Sequence, residues 1–152
     1  MIHENEMELV FESFSVNEGL ARVAVAAFLS QLNPTLEEVA DVKTAVSEAV
    51  TNAIIHGYEG TVAKIWIRCR YEKQMFYIEV EDKGKGIEDI EKAMEPLFTT
   101  KPEMERSGMG FSFMEAFMDK IHVESIPDRE GTLVCMEKKI GKGRELWTTQ
   151  SL

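Results

Sequence analysis

Alternating hydrophobic and polar residues open the chain and then give way to helical periodicity. Residues 7–14 alternate with a period of two, which predicts a half-buried strand. An apolar-rich helix is then expected from Asn17, acting as its N-cap, to about Gln31. Pro34 interrupts this pattern, so a new element must begin after it.

A second, longer helix is predicted from Thr35 to about His56. Thr35 and Glu38 have the spacing of a capping box, and Gly57 can end the helix. The arc expected to pack on a sheet consists of Val39, Val42, Val46, Val50 and Ile54.

The second half of the chain is predicted to be rich in strands. Residues 63–71 and 75–80 form two β-rich runs joined by a short polar stretch, which predicts a hairpin. Further predicted elements are a short helix near Ile90, an irregular segment over 94–107, a helix over 109–117, and strands over 121–125 and 132–140. Because no regular βαβ repeat is present, we expect an α/β (α+β) two-layer sandwich whose sheet is mixed, mainly antiparallel, with helices on one face.

Composition narrows the possible functions. The 152 residues fit one domain, with a frayed tail after about residue 141. No apolar run approaches the roughly 20 residues that cross a bilayer, so a cytoplasmic protein without a membrane partner is expected. Cys69 and Cys135 lie far apart in predicted strands, which favours two buried thiols. The net charge of -10 disfavours direct nucleic-acid binding and favours a protein partner with a basic face.

Glu48 and Asn52 are the first candidates for chemistry. They are four positions apart on the long predicted helix and therefore share one face, which His56 extends. An amide oxygen is suited to Mg²⁺, and a carboxylate can take a proton from an attacking hydroxyl group. The same spacing is also common among ordinary exposed helix residues.

Two glycine-rich segments are the next candidates. Asp82 is followed by Gly84 and Gly86 at the end of a strand, where a carboxylate can accept the exocyclic amine of adenine. Residues 107–110 begin a predicted helix, whose free amides favour phosphate groups. This segment lacks the Lys-Ser/Thr ending of a Walker loop and the βαβ setting of a dinucleotide fold. Taken singly, the two segments also fit a plain turn and a helix cap.

Gly131 and Thr132 complete four short motifs, whose order resembles the N, G1, G2 and G3 boxes of the GHKL ATPase superfamily. Within this superfamily, residues 46–58 and 96–111 resemble the anti-sigma-F factors of endospore-forming bacteria. The similarity extends from about Glu6 to Lys139.

The resemblance implies a GHKL (Bergerat) ATP-binding fold that uses ATP or ADP and Mg²⁺. By position, Asn52 would hold Mg²⁺ and Glu48 would be the general base, while Asp82, Gly86 and Thr132 would read adenine. Residues 96–107 would form a lid, and Arg106 would stabilise the charge that develops during phosphoryl transfer. The other implied nucleotide-binding residues are Gly84, Thr99, Thr100, Lys101, Ser107, Gly108, Met109 and Gly110.

The resemblance also implies protein partners. The anti-sigma-F factors that the chain resembles bind a sporulation sigma factor as a homodimer. They also phosphorylate a serine of an anti-anti-sigma protein, so a protein serine kinase is expected. Arg22 matches a position on the surface that both partners use, and part of the apolar run 23–29 would form the dimer contact.

Three alternatives remain. A binding-only anti-sigma module would use nucleotide merely to stabilise its lid, although Glu48 favours a kinase. A histidine kinase would need a helix carrying a phospho-accepting histidine. None of the three histidines fits, because His3 is terminal, His56 lies at the end of a predicted helix and His122 lies in a predicted strand. A chaperone- or topoisomerase-type ATPase would need large transducing domains that 152 residues cannot hold.

Overall fold

The structure is a computed structural model and describes residues 2–87, 89–95, 110–126 and 131–141. Nine regular elements follow one another along these residues: β1 (Glu4–Glu12), α1 (Asn17–Leu29), α2 (Leu36–Asn52), β2 (Lys64–Glu72), β3 (Met75–Asp82), α3 (Ile90–Ala93), α4 (Gly110–Phe117), β4 (Lys120–Ile126) and β5 (Gly131–Lys139). The predicted helices and strands are therefore all present, with bounds that differ by a few residues, whereas most of the predicted irregular segment over 94–107 lies outside the described residues.

The five strands form one sheet in the order β1-β2-β3-β5-β4. Every neighbouring pair is antiparallel, so the sheet is antiparallel throughout rather than mixed. The predicted hairpin is β2 and β3, in which Glu72 pairs with Met75. Its turn includes Lys73 with a positive φ of 53°. In the sheet, Asp82 pairs with Thr132, so two of the predicted motifs meet across neighbouring strands.

Helix α1 begins differently from its prediction. Val16 occupies the N-cap position without a side-chain hydrogen bond, so the prediction that Asn17 caps the helix is wrong. Asn17 is instead the first helical residue, and its side-chain nitrogen donates to the Glu12 carbonyl at 2.8 Å. The regular helix ends at Leu29 and continues as a 3-10 turn over Ser30–Leu32, so it stops short of the predicted Gln31.

Helix α2 has the predicted capping box. The Glu38 amide donates to Thr35 Oγ1 at 3.1 Å, and the Thr35 amide donates to Glu38 Oε1 at 2.8 Å. The α-helix ends at Asn52 rather than near His56, because Ala53–Gly57 forms a π-helical turn. Such turns are rare and often occur at functional sites.

The hydrophobic core lies between the helices and one face of the sheet. Helix α1 contacts β1 and β2, α2 contacts β3, and α3 and α4 contact β4, while α2 also packs between α1 and α4. The predicted apolar arc of α2 is in this core: Val42, Val46 and Val50 are fully buried, and Val39 and Ile54 pack against it. The helices thus form one layer and the sheet the other.

The opposite face of the sheet carries mostly polar side chains. Arg68 lies there and forms ion pairs with Glu8 at 3.0 Å and Glu81 at 2.6 Å. Cys135 is on this face and is only half-buried, so the prediction of two buried thiols holds for Cys69 alone. Among the described residues, no helix is long and apolar enough to cross a membrane. The predicted tail after residue 141 lies outside the described residues.

Candidate functional site

Glu48 and Asn52 meet the start of helix α4. They lie one turn apart at the C-terminal end of α2, which packs directly on α4. Gly110, the first residue of α4, is so close that a Cβ at this position would lie 3.3 Å from Asn52 Nδ2 and 3.4 Å from Glu48 Oε2. The fold therefore brings the first predicted motif against the end of the third.

The amide of Asn52 is available to a ligand. Its nitrogen is buried and has no hydrogen-bond partner among the described residues. An unsatisfied buried polar group is costly unless a ligand or water completes it. The unpartnered nitrogen is a donor and suits an acceptor such as a phosphate oxygen. The oxygen of the same amide is the atom that fits Mg²⁺ brought by a triphosphate, because this ion commonly uses one or two protein oxygens together with phosphate oxygens and water. No group of three His, Cys, Asp or Glu side chains among the described residues is placed to hold a metal by itself.

Asp82 is a buried carboxyl group at the end of β3. Only 4% of the residue is exposed, and the Gly84 amide donates to Asp82 Oδ1 at 2.9 Å. Burial raises the pKa of Asp82 to about 6, although hydrogen bonds from the backbone amides of Gly84 and Thr132 oppose the rise. A carboxylate in this position is suited to accept a hydrogen bond from a neutral donor such as an amino group.

Residues 83–87 follow β3 and are called the Asp82 turn. This turn packs on the end of the α2 segment, which consists of α2 and the π-helical turn Ala53–Gly57. A Cβ on Gly57 would lie 2.8 Å from Asp82 Oδ1, and a Cβ on Gly84 would overlap the Gly57 carbonyl. Gly84 is therefore required by packing within the protein itself. Gly86 has a φ of 78°, which a residue with a side chain adopts only with strain. Gly131 is also required, because a Cβ there would overlap the Asp82 carbonyl.

Thr132 lies beside this turn, as the fourth motif predicts. It is buried, and its hydroxyl lies 3.4 Å from that of Ser125 on β4. Ser125 Oγ in turn accepts from the Ile87 amide and donates to the Gly131 carbonyl at 3.1 Å. Ser125 thereby holds Ile87, at the end of the Asp82 turn, against the edge strand β4.

The described part of the chain therefore unites two groups of predicted residues. One contains Glu48, Asn52 and Gly110, and the other contains Asp82, Gly84, Gly86 and Thr132. Gly57 and Tyr58 fall in the stretch 46–58 that carries the family resemblance, but the sequence predicts only a helix end at Gly57 and no separate role for Tyr58 or Ser125. For Gly57 a signal existed, since it follows Asn52 by only five positions.

Several predicted residues lie outside the described residues. These are Thr99, Thr100, Lys101, Arg106, Ser107, Gly108 and Met109. Their assignment to phosphate binding stays a prediction.

Arg22 lies on the exposed side of helix α1. It forms an ion pair with Glu18 at 3.8 Å. A neighbouring apolar stripe consists of Val16, Leu20 and Val23, which fall within about 60° of one another on the helix and are exposed by 79%, 49% and 65%. Three residues of the predicted contact run 23–29 belong to the core instead, because Val25, Phe28 and Leu29 are buried.

The chain is similar to a known protein family and to individual proteins. Residues 15–138 match the family described as the histidine kinase-like ATPase domain. The chain is 59% identical to the anti-sigma F factor of Caldanaerobacter subterraneus subsp. tengcongensis over 95% of this chain and 100% of that one. It is 51% identical to the anti-sigma F factor of Bacillus subtilis over 94% of this chain and 98% of that one.

A solved structure supports the same fold. The structure of the RsbU and RsbW domains of a Mycobacterium tuberculosis protein superposes with a TM-score of 0.63 at 17% identity. The match covers 90% of this chain and 32% of that one. With the family match and the antiparallel sheet under one helical layer, this likeness confirms the predicted GHKL fold. The chain therefore belongs to the histidine kinase-like ATPase family and, within it, to the anti-sigma F factors.

Proposed function

We propose that this member of the anti-sigma F factor family inhibits a sporulation sigma factor and, with ATP and Mg²⁺, phosphorylates a serine of an anti-anti-sigma protein. The observation that carries the proposal is the meeting of Glu48, Asn52 and Gly110 at the junction of α2 and α4. A carboxylate, an available amide and a helix N-terminus are three groups that phosphoryl transfer uses.

Asn52 and Glu48 have separate roles in this proposal. The amide oxygen of Asn52 is a ligand of Mg²⁺, which neutralises charge on the phosphates when it is bound. The Glu48 carboxylate accepts the proton of the substrate serine as the serine oxygen forms its bond to the γ-phosphorus. The bond between that phosphorus and the bridging oxygen breaks, and ADP leaves. The products are ADP, the phosphoserine and a protonated Glu48.

Adenine is assigned to the Asp82 turn. In its ionised form, the Asp82 carboxylate accepts a hydrogen bond from the exocyclic amino group of adenine. Gly57, Gly84 and Gly131 pack closely around Asp82 and its turn. This close packing supports the assignment, because it fixes the Asp82 carboxyl group in a buried position. Thr132 completes the adenine end of the pocket.

Helix α1 is assigned to protein partners. Arg22 offers an exposed cation to the sigma factor and to the anti-anti-sigma protein. The stripe of Val16, Leu20 and Val23 is assigned to a homodimer contact, since exposed apolar residues in a row often mark an interface.

A direct test combines the purified chain with γ-labelled ATP, Mg²⁺ and a candidate anti-anti-sigma protein. The expected product is phosphoserine on the added protein, together with nucleotide-dependent binding of the sigma factor. Sigma binding with no transferred label would instead support a binding-only anti-sigma module. Failure to bind either ATP or a sigma factor would refute the proposal as a whole.

A further inference from the structure

Tyr58 connects three segments around the Asp82 turn. It directly follows the π-helical turn at the end of the α2 segment and is only 9% exposed. Its hydroxyl donates to the carbonyl of Lys64, the first residue of β2, and accepts from the Lys83 amide at 2.8 Å. The hydroxyl proton and a lone pair are therefore both used, which fixes the direction of the group.

Each of the three successive backbone amides after Asp82 donates a hydrogen bond. The Lys83 amide donates to the Tyr58 hydroxyl, and the Gly84 amide donates to Asp82 itself. The Lys85 amide donates to the Gly57 carbonyl at 3.0 Å. Two of the three acceptors thus belong to Gly57 and Tyr58, at the end of the segment that carries Glu48 and Asn52.

The close packing leaves the turn little alternative. Gly84 lies against the Gly57 carbonyl and Gly57 lies against the Asp82 carboxyl group, so neither tolerates a Cβ without displacement. A change in the position of residues 57 and 58 must therefore be passed to Asp82. Because these residues continue from α2, the same rigid connection reaches Asn52.

We propose that Tyr58 is a positioning residue of the nucleotide site: its hydroxyl fixes the Asp82 turn on the end of the α2 segment, so that the adenine and phosphate ends are held at one separation. This inference rests on the proposed function, because it concerns the same nucleotide pocket. Tyr58 touches neither the base nor the phosphates in this account and acts through Asp82.

The test measures ADP affinity by titration calorimetry on the full chain. Tyr58→Phe keeps the buried ring and removes both hydrogen bonds, and it should weaken ADP binding about 10-fold. Tyr71→Phe is the matched control, because Tyr71 is also buried and its hydroxyl donates to Gln31 Oε1 at 2.8 Å. Tyr71 lies six residues along β2 from Ile65, the residue that pairs with Asp82. The control should change the affinity less than about twofold.

A double-mutant cycle separates positioning from general stabilisation. If Tyr58 acts through Asp82, then adding Tyr58→Phe to Asp82→Asn should weaken ADP binding by less than about twofold. A full 10-fold effect in the Asp82→Asn background would overturn the inference, as would equal effects of Tyr58→Phe and Tyr71→Phe. A wild-type chain that does not bind ADP would refute the proposed function itself.

Hydrogen exchange on the wild-type chain gives a second measurement that does not depend on the folding of a variant. ADP should slow exchange of the Lys83 and Lys85 amides together, because both bond to the Gly57–Tyr58 corner. Bound ADP with unchanged exchange at Lys83 would contradict the proposed role of Tyr58.

Discussion

The carboxyl group of Asp82 lies against Gly57, so closely that a Cβ built on the glycine would stand 2.8 Å from Asp82 Oδ1. These residues are 25 positions apart in the chain, at the end of the α2 segment and at the end of β3. Their contact joins the part of the site that carries Glu48 and Asn52 to the part that carries the buried carboxyl group.

Glu48→Gln should abolish phosphotransfer while leaving nucleotide bound. The amide has nearly the same shape as the carboxylate but cannot accept the serine proton, so the rate should fall about 100-fold or more. ADP affinity and sigma binding should stay within about twofold, because neither uses the base. Glu37→Gln, on the exposed first turn of the same helix, should leave the rate unchanged. Unchanged transfer in Glu48→Gln would remove Glu48 from the mechanism.

Asn52→Ala should lose the dependence of ATP affinity on magnesium. In the wild type, ATP should bind at least about 10-fold more tightly with Mg²⁺ than with a chelator, because the amide oxygen holds the ion. The ratio should approach one in Asn52→Ala. Asn52→Asp should restore the magnesium dependence, since it keeps an oxygen ligand. Equal ratios in the wild type and Asn52→Ala would contradict the assignment of Asn52.

Asp82 should make the stability of the nucleotide-free protein depend on pH between 4 and 6. Burial raises the pKa of Asp82 from 3.8 to about 6, so the folded protein binds the proton more tightly than the unfolded chain. This contribution to the free energy of unfolding is fully present below pH 3.8 and is lost as the pH rises through about 6. Relative to Asp82→Asn, the wild type should gain about 1 kcal/mol on going from pH 7 to pH 5.

Urea unfolding of both proteins at the two pH values measures this difference. Subtracting the variant cancels the titration of the other carboxyl groups. A wild type that loses stability relative to Asp82→Asn at pH 5 would show that the pKa of Asp82 lies below its ordinary value.

Gly84→Ala should destabilise the fold at the junction. The added methyl group would overlap the Gly57 carbonyl, which is backbone and cannot rotate away, so we expect a loss of about 1–3 kcal/mol in the free energy of unfolding. Gly19→Ala is the control, because a Cβ there meets only Arg22 Nη2 at 3.8 Å within helix α1. That change should stabilise the protein by about 0.5–1 kcal/mol. Equal unfolding midpoints for the two variants would contradict the close packing of Gly84.

Val23→Glu should dissociate the proposed homodimer. It places a charge in the apolar stripe of α1, where burial in an interface would be costly. Leu36→Glu is the control, since Leu36 is 90% exposed and lies at the start of α2, where an acidic residue is favourable. Sedimentation velocity should show a monomer for Val23→Glu and a dimer for the wild type and the control. A wild-type monomer would refute the dimer proposal.

The sequence by itself determined the elements and the chemical character of the site. Periodicity of two and of 3.6 depends on local backbone geometry, so it located β2, β3 and the buried arc of α2. The capping box at Thr35 is also local, and the structure contains it. The spacing of Glu48 and Asn52 sufficed to place them on one helical face, and the order of the four motifs indicated the family.

Only the tertiary structure decided how these motifs meet. The register of β3 with β5 sets Asp82 opposite Thr132, and packing of α2 on α4 brings Gly110 to Asn52. The two hydrogen bonds of the Tyr58 hydroxyl depend on Lys64 in β2 and on Lys83 just after β3, which no local pattern reports. No local pattern predicts the π-helical turn after Asn52 either. The reason is physical: sequence periodicity records which face of an element is apolar, whereas close contacts between elements depend on the shapes of both partners.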